Sequence, residues 1–311
     1  MLNPQGITNL PIELAIDKGY FDKANIDLQV EQNNGSSVQQ LPRLARGDLD
    51  VIPVTPSAAL YNQLTQGFDV KVIGPEGTEK TGRLDQVWLA VLPDTASQYT
   101  DLSSLRNKTI EGAILGSGIS VLVELAIRQA GLVNGQTVNV QYRARTLPEI
   151  IQLAQSKGAD VFGCSEPLAT QGVQQGVWVK WRSIADVVPW YQPGLLAASE
   201  QSLSGSRRDA VVKWMEVYLY ASREINASNG VWAADVLNSA TRWAQLEPKV
   251  ITDQGAAPYF DPNGAISMES LERVQQLWQE LGQVPQPVDI QQMVDASIPG
   301  DASQHLGIFP A

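Results

Sequence analysis

Apolar and polar positions along this chain switch repeatedly between the strand period and the helix period. Ile26 to Glu31 alternates apolar and polar side chains, which predicts a half-buried strand. Asn33 to Ser37 is a turn cluster with residues able to cap a helix. The helix that follows should run to about Arg46 and stop at Gly47, starting late or bending because of Pro42. Asp50 to Val54 predicts a short buried strand. Thr55 and Pro56 then supply an N-cap and a first-turn proline for a helix to about Gln66, and Val70 to Gly74 predicts another strand.

From Lys108 the same plan recurs. Lys108 to Ala113 reads as a strand and Leu115 to Gly118 as a tight loop. Ile119, Leu122, Val123, Ala126, Ile127 and Ala130 then share one face of a helix that Gly131 ends. Thr137 to Tyr142 reads as a strand, Leu147 to about Ser156 as a helix and Asp160 to Cys164 as a strand. The run from Leu44 to Val51 is echoed from Leu153 to Val161, and Thr55-Pro56-Ser57 by Ser165-Glu166-Pro167. Strand–helix–strand units of this kind favour mostly parallel sheets covered by helices, and two of them suggest two similar lobes.

Two further strand-like segments, Gln86 to Leu92 and Gly194 to Ala198, read as crossings between the lobes. The expected division is 1–86 with 195–311 as lobe 1 and 87–194 as lobe 2, with hinges near 86–92 and 192–198. Beyond the second crossing the pattern turns helical. Val211, Met215, Tyr218, Leu219 and Ile225 mark one amphipathic helix. Leu271, Val274, Leu277, Trp278 and Leu281 mark another, capped by Ser267. The tail, with Pro285, Pro287 and Pro299, reads as an extended strap.

Composition narrows the function. The chain has 311 residues, 43% hydrophobic, which suits one large or two medium domains and argues against disorder. Its net charge of −11 disfavours nucleic acid and anionic membrane as partners and favours a soluble monomer. No run of about 18 apolar residues occurs, so no membrane-spanning helix is expected. The start lacks a basic segment followed by an apolar one, which fits either a cytosolic chain or a mature form whose signal peptide was removed. With Cys164 alone no internal disulfide can form. With His305 as the one histidine, imidazole catalysis and a Cys/His metal cluster are poorly supplied.

The ordered set of motifs carries a resemblance. Ala15-Ile16-Asp17-Lys18-Gly19-Tyr20-Phe21 has the A-x-x-x-G-Y-F form and Ile26 to Val30 fits the strand after it. Leu44 to Val51 has the L-x-x-G-x-x-D-(I/V) form, and Ser165-Glu166-Pro167 resembles a W/S-E-P turn. In this order, over nearly the whole chain, they resemble the periplasmic substrate-binding proteins of ABC importers in the nitrate/sulfonate/taurine and thiamine-pyrimidine (NMT1-like) group. The resemblance implies an α/β, two-lobed periplasmic-binding-protein fold, a ligand cleft between lobes that closes by hinge motion, and export, often with a lipid anchor. It also implies delivery of a small molecule to a membrane permease and its ATPase, without a cofactor or a metal.

In open parallel sheets ligands sit beyond the carboxyl ends of strands, against helix N-termini. That rule selects Thr8, Asn9 and Leu10, then Asn34, Gly35 and Ser36, then Thr55 and Ser57, from the first lobe. From the second it selects Gly116, Ser117, Gly118 and Ile119, then Ser165 and Glu166. Trp88 lies on the first crossing, and Trp190 and Tyr191 precede the second. Each also has a plainer reading. Ser36, Thr55 and Ser117 serve equally as N-caps, Gly116 and Gly118 as turn formers, Glu166 as a helix-dipole carboxylate and Trp88 as core. Trp178 and Trp181 read as strand packing and Cys164 as a buried small residue.

This set contains no lysine or arginine. Its aromatic, hydroxyl, amide and carboxyl groups suit a flat neutral heterocycle, stacked on indole or phenol rings, better than an anion. Within the resembled family that points to a thiamine pyrimidine precursor or riboflavin. A sulfonate, nitrate or bicarbonate, held by the amides of the Gly116 to Ile119 turn, is the alternative. A related eukaryotic enzyme family makes the thiamine pyrimidine on this fold with a cysteine-rich motif and an iron-linked histidine. This chain has neither, which weighs against an enzyme. A sensor using the same cleft remains a further alternative.

Overall fold

The computed structural model describes residues 7–32 and 37–309. The chain divides into two compact units. Unit 1 comprises residues 1–84, 192–252 and 256–311, and unit 2 comprises 85–191 with 253–255.

Among the described residues eight strands form two sheets. In chain order they are β1 (Val51–Val54), β2 (Val70–Pro75), β3 (Val87–Val91), β4 (Thr109–Glu111), β5 (Asn139–Gln141), β6 (Val161–Ser165), β7 (Val179–Ser183) and β8 (Leu195–Ser199). Unit 1 has the order β1-β8-β2, with both pairings antiparallel. Unit 2 has the order β5-β4-β6-β3-β7. There β4 pairs in parallel with β5 and β6, while β3 is antiparallel to β6 and β7.

The α/β class therefore holds, but where mostly parallel sheets were expected the unit 1 sheet is antiparallel and the unit 2 sheet is mixed. The strand–helix–strand units do set β1 and β2 in one direction, and likewise β4, β5 and β6. The crossing strands β8 and β3 then insert beside them in the opposite sense. β8 is buried along its whole length, which explains its unbroken Leu-Leu-Ala-Ala run.

Helices end where the sequence provides caps. Ser117 accepts from the Ser120 amide and opens the helix Gly118–Gln129, with Gly131 left-handed just past its end. Ser267 does the same for Met268–Glu280. The long helix Gly205–Ala227 buries Val211, Met215, Tyr218, Leu219 and Ile225 in the core of unit 1, beside the helix Leu10–Asp17. No helix among the described residues is long and apolar enough to cross a membrane.

Several expectations are corrected. Ile26 to Glu31 forms no strand. Ile26 and Leu28 pack on the unit 1 core, so their alternation records one apolar face without a ladder. The segment before Gly47 is a 3-10 turn, Ser37–Gln40, and a short helix, Leu41–Ala45, that starts at Pro42's neighbour because proline is tolerated only in a first turn. Ser57, and not Thr55, caps the helix Ala58–Thr65, since its hydroxyl is the one that meets the Leu60 amide. The tail is not an extended strap. It holds the helices Ile290–Met293 and Ser297–Leu306, with Pro299 in the first turn of the second, where its missing N–H leaves no bond unmade.

In unit 2 the core is anchored by Trp178. It is 0% exposed, stacks on Phe162 at 5.7 Å between ring centroids, and donates its indole N–H to the Ala169 carbonyl at 2.9 Å. Gly172 leaves the room it needs, because a Cβ there would lie 2.0 Å from the indole. Replacing Trp178 by alanine should lower unfolding free energy by about 3–5 kcal/mol, read as a lower urea midpoint. An unchanged midpoint would show that the site is not packed as described.

Candidate functional site

In both units the insertion of a crossing strand leaves the geometry of the carboxyl edge intact. In unit 1, Val54 at the end of β1 and Pro75 at the end of β2 are both level with Leu195, the first residue of β8. In unit 2, β4 and β5 end together at Glu111 and Gln141, and Ser165 at the end of β6 is level with Val87 at the start of β3. Each unit thus gathers its strand-end loops on one edge.

In unit 1, Thr8 lies in the 3-10 turn Ile7–Asn9. Asn9 and Leu10 are buried where that turn becomes the helix Leu10–Asp17. Thr55 is exposed beyond β1, and Ser57 is a buried cap. Asn34, Gly35 and Ser36 lie outside the described residues.

The residue that joins these loops is Glu76, immediately after β2. Its amide donates to the Gly194 carbonyl at 2.9 Å, and the Thr8 side chain hydrogen-bonds its carboxyl. A Cβ at Gly194 would lie 2.8 Å from Glu76 Oε2, so glycine is required there. Glu76 is 5% exposed, and burial pushes its pKa up to about 8, against the smaller lowering effect of Thr8. Glu13, on the neighbouring helix, is 2% exposed. Burial, and then the charges of Asp17 and Glu76, hold its carboxyl well above the usual range, with Arg242 opposing.

In unit 2, Gly116 has φ 92°, which glycine alone adopts freely, and Ser117 caps the helix that follows. Gly118 is needed for a different reason. A Cβ there would lie 2.8 Å from the hydroxyl of Tyr191, so the structure brings these two predicted residues together. Tyr191 is 2% exposed and Trp190 half-buried. Ile119 is half-buried and packs toward Gly163.

Ser165 ends β6 and leads to Glu166, which precedes Pro167 through a cis peptide bond. The Glu166 side chain is 1% exposed and ion-paired to Lys180 at 2.5 Å, and it accepts the Thr170 amide at 3.1 Å. Burial raises its pKa, and the Lys180 ammonium and Thr170 offset part of the rise. The same ammonium lies 5.0 Å from the centroid of the Trp88 ring and donates to Thr170 at 2.8 Å. Trp88 donates its indole N–H to the Asp85 carbonyl at 3.0 Å. Trp88 and Glu166 are thereby one cluster, with Lys180 at its centre.

Sequence reasoning missed Glu76, Glu13, Lys180, Arg143 and Arg145. The carboxyl-end rule, extended to β2 and β5, selects Glu76 and the Tyr142–Thr146 loop. Lys180, Arg143 and Arg145 thus stand near a predicted set that held no cation. Two of these cations are committed to carboxylates: Lys180 to Glu166, and Arg145 to the buried Glu111 at 2.9 Å. Arg143 is exposed. Cys164 is fully buried, and burial raises its thiol pKa. His305 is exposed against Glu216 at 2.6 Å. Among the described residues no group of three or more His, Cys, Asp and Glu could hold a metal ion.

These units have the periplasmic-binding-protein fold. The chain superimposes on the periplasmic aliphatic sulphonate binding protein SsuA of Escherichia coli with a TM-score of 0.72 at 17% identity, over 92% of this chain and 89% of that one. The periplasmic nitrate-binding protein NrtA of Synechocystis PCC 6803 gives 0.72 at 11% identity, over 97% and 87%. A Candida albicans protein described as having the generic periplasmic binding protein fold gives 0.63 at 11% identity, over 96% and 92%. Identities this low establish the fold alone. No curated protein matches the chain in sequence. The NMT1/THI5-like family pattern matches residues 8–222, more than half of the chain, and the protein belongs to that family.

Two outcomes follow from this geometry. Lys180→Met leaves Glu166 buried without its cation and should cost about 3 kcal/mol of stability in urea unfolding, with much of it recovered when Glu166→Gln is added. No recovery would mean that the two do not act as a pair. Glu76 has a folded pKa of about 8 against an ordinary 4.5. The folded state therefore holds a proton that the unfolded chain releases, and stability falls as pH rises through that window. Glu76→Gln should flatten this fall in thermal melts, and an unchanged slope would exclude Glu76 as its source.

Proposed function

We propose that this protein is the solute-binding component of an ABC importer, working outside the cytoplasm and delivering a small molecule to a membrane permease driven by its ATPase. Family membership and fold support the reading. Two similar structures carry names for binding sulphonate and nitrate. The role proposed is binding; the thiol of Cys164 is buried and His305 is an exposed partner of Glu216, so neither is offered as a catalytic group.

The ligand we propose is a flat vitamin-type heterocycle, either a thiamine pyrimidine precursor or riboflavin. The observation that carries this choice is the pair of buried carboxyls, Glu13 and Glu76, behind Thr8 on the unit 1 edge. A carboxyl held neutral by burial brings no cation to an oxyanion, and its carbonyl oxygen accepts from ring and amino N–H groups, which a sulfonate or nitrate lacks. In unit 2, Lys180 and Arg145 are already neutralised by Glu166 and Glu111. The second reading, an anion, draws on exposed Arg143 and on the amides that open the helix Gly118–Gln129.

A thermal-shift panel separates the two readings. It contains riboflavin, thiamine and its pyrimidine precursors, taurine, other sulfonates, nitrate and bicarbonate. A true ligand at about 1,000 times its dissociation constant stabilises by about 4 kcal/mol, and the shift is expected among the heterocycles. A shift among the anions alone would overturn the heterocycle and leave the importer role standing.

A further inference from the structure

A groove of about 550 Å³ lies in unit 1 at the approach to β1, whereas the candidate site loops follow the strand ends. One wall is the segment 26–31, every residue of which lines the groove. Its side chains alternate between half-buried and exposed from 26 to 29, as those of an extended chain do. The other wall is 48–51 with Pro53, the start of β1. Among the described residues β1 is an outermost strand of its sheet, and the backbone of 27–31 takes part in no backbone hydrogen bond. The floor is apolar. Ile12, Leu196, Val211 and Trp214 are all buried, and Trp214 is held by stacking on Tyr218 at 5.8 Å between ring centroids.

Charge around the groove is one-sided. Asp27, Glu31, Asp48 and Asp50 line it, against Arg207. Glu31 and Asp48 are already paired with Arg43 and Arg46, which do not line the groove. Asp50 accepts the Ser202 hydroxyl at 3.0 Å, a neutral donor. That leaves the carboxylates of Asp27 and Asp50, one on each wall, against the single guanidinium of Arg207.

We propose that this groove seats an extended segment of a partner polypeptide, with apolar side chains at alternate positions and lysine or arginine at its ends, which adds to unit 1 as a strand paired with 27–31. The inference is independent of the ligand proposed above. Strand addition suits the site because one wall offers a row of backbone N–H and C=O groups, and every second side chain of the guest reaches the apolar floor. A helix, about 10 Å across with its side chains, satisfies its own backbone and leaves 27–31 unpaired. A compact apolar molecule covers the floor and gains nothing from that backbone. The terminal cations of the guest meet Asp27 and Asp50, and the net charge of −11 draws a basic segment in.

The test uses the full chain and a short end-blocked peptide of alternating valine and threonine with a lysine at each end. Fluorescence anisotropy reads its binding, and amide hydrogen exchange locates it. Control peptides carry glutamate in place of lysine, or N-methyl groups on alternate amides. In low salt the lysine-ended peptide should bind about tenfold or more tighter than the glutamate-ended one, and the gap should close at about 0.5 M salt. N-methylation should weaken binding about tenfold or more, since it removes the ladder donors. The amides of 27–31 should gain protection from exchange. Asp27→Asn with Asp50→Asn, both exposed positions, should weaken the lysine-ended peptide several-fold and leave thermal unfolding unchanged. Equal binding of lysine- and glutamate-ended peptides overturns the proposal. So do equal binding of the N-methylated peptide, protection confined to other amides, and no binding of any peptide. A chain that sediments as a dimer which the peptide disperses makes a second copy the occupant, and that too overturns the partner segment. None of these outcomes touches the importer role.

Discussion

Each sheet in this protein is closed by a strand that enters from a crossing and runs against its neighbours. In unit 1, β8 separates β1 from β2 and supplies both with their hydrogen-bond partners. Without residues 195–199, two short strands of the first 84 residues would have no ladder between them. In unit 2, β3 joins β7 to the rest of the sheet through β6. The constraint also places the loops of interest. A strand that runs against the others begins where they end, so Gly194 is set beside Glu76, and Trp88 on the edge where Glu166 follows β6.

The two edges handle buried carboxyls in different ways. Glu166 keeps a cation, Lys180, which also covers the Trp88 ring and donates to Thr170. Among the described residues Glu76 has no ion-pair partner. It has Thr8, a close glycine and a pKa raised by burial. An ion pair in low dielectric is worth keeping only when both charges are present. A neutral acid in the same setting becomes a paired donor and acceptor. Both arrangements reduce the free charge that an oxyanion would need.

Much of this was legible along the chain. Residue pattern and caps gave the helices Gly118–Gln129, Gly205–Ala227 and Met268–Glu280, because a helix is closed by contacts within four residues. Short apolar runs gave β1, β2, β3, β6 and β8, and ordered motifs gave the family. The carboxyl-end rule found Ser117, Gly118 and Glu166 at strand-end loops, and the aromatic reading found Tyr191, which packs at Gly118.

What pairs with what was decided only in three dimensions. In unit 1, sheet order and strand direction depend on partners more than a hundred residues away, and Ile26 to Glu31 alternates like a strand while forming no ladder. A side chain's charge also depends on its neighbours in space. Lys180 gains its partner only where Glu166 closes on it, and Glu76 loses water only where the fold buries it. The sequence by itself determined the local elements and the family, because these rest on contacts between near neighbours. The tertiary structure decided the order and direction of the strands and the electrostatics of the candidate site, because burial and long-range pairing are properties of the folded chain alone.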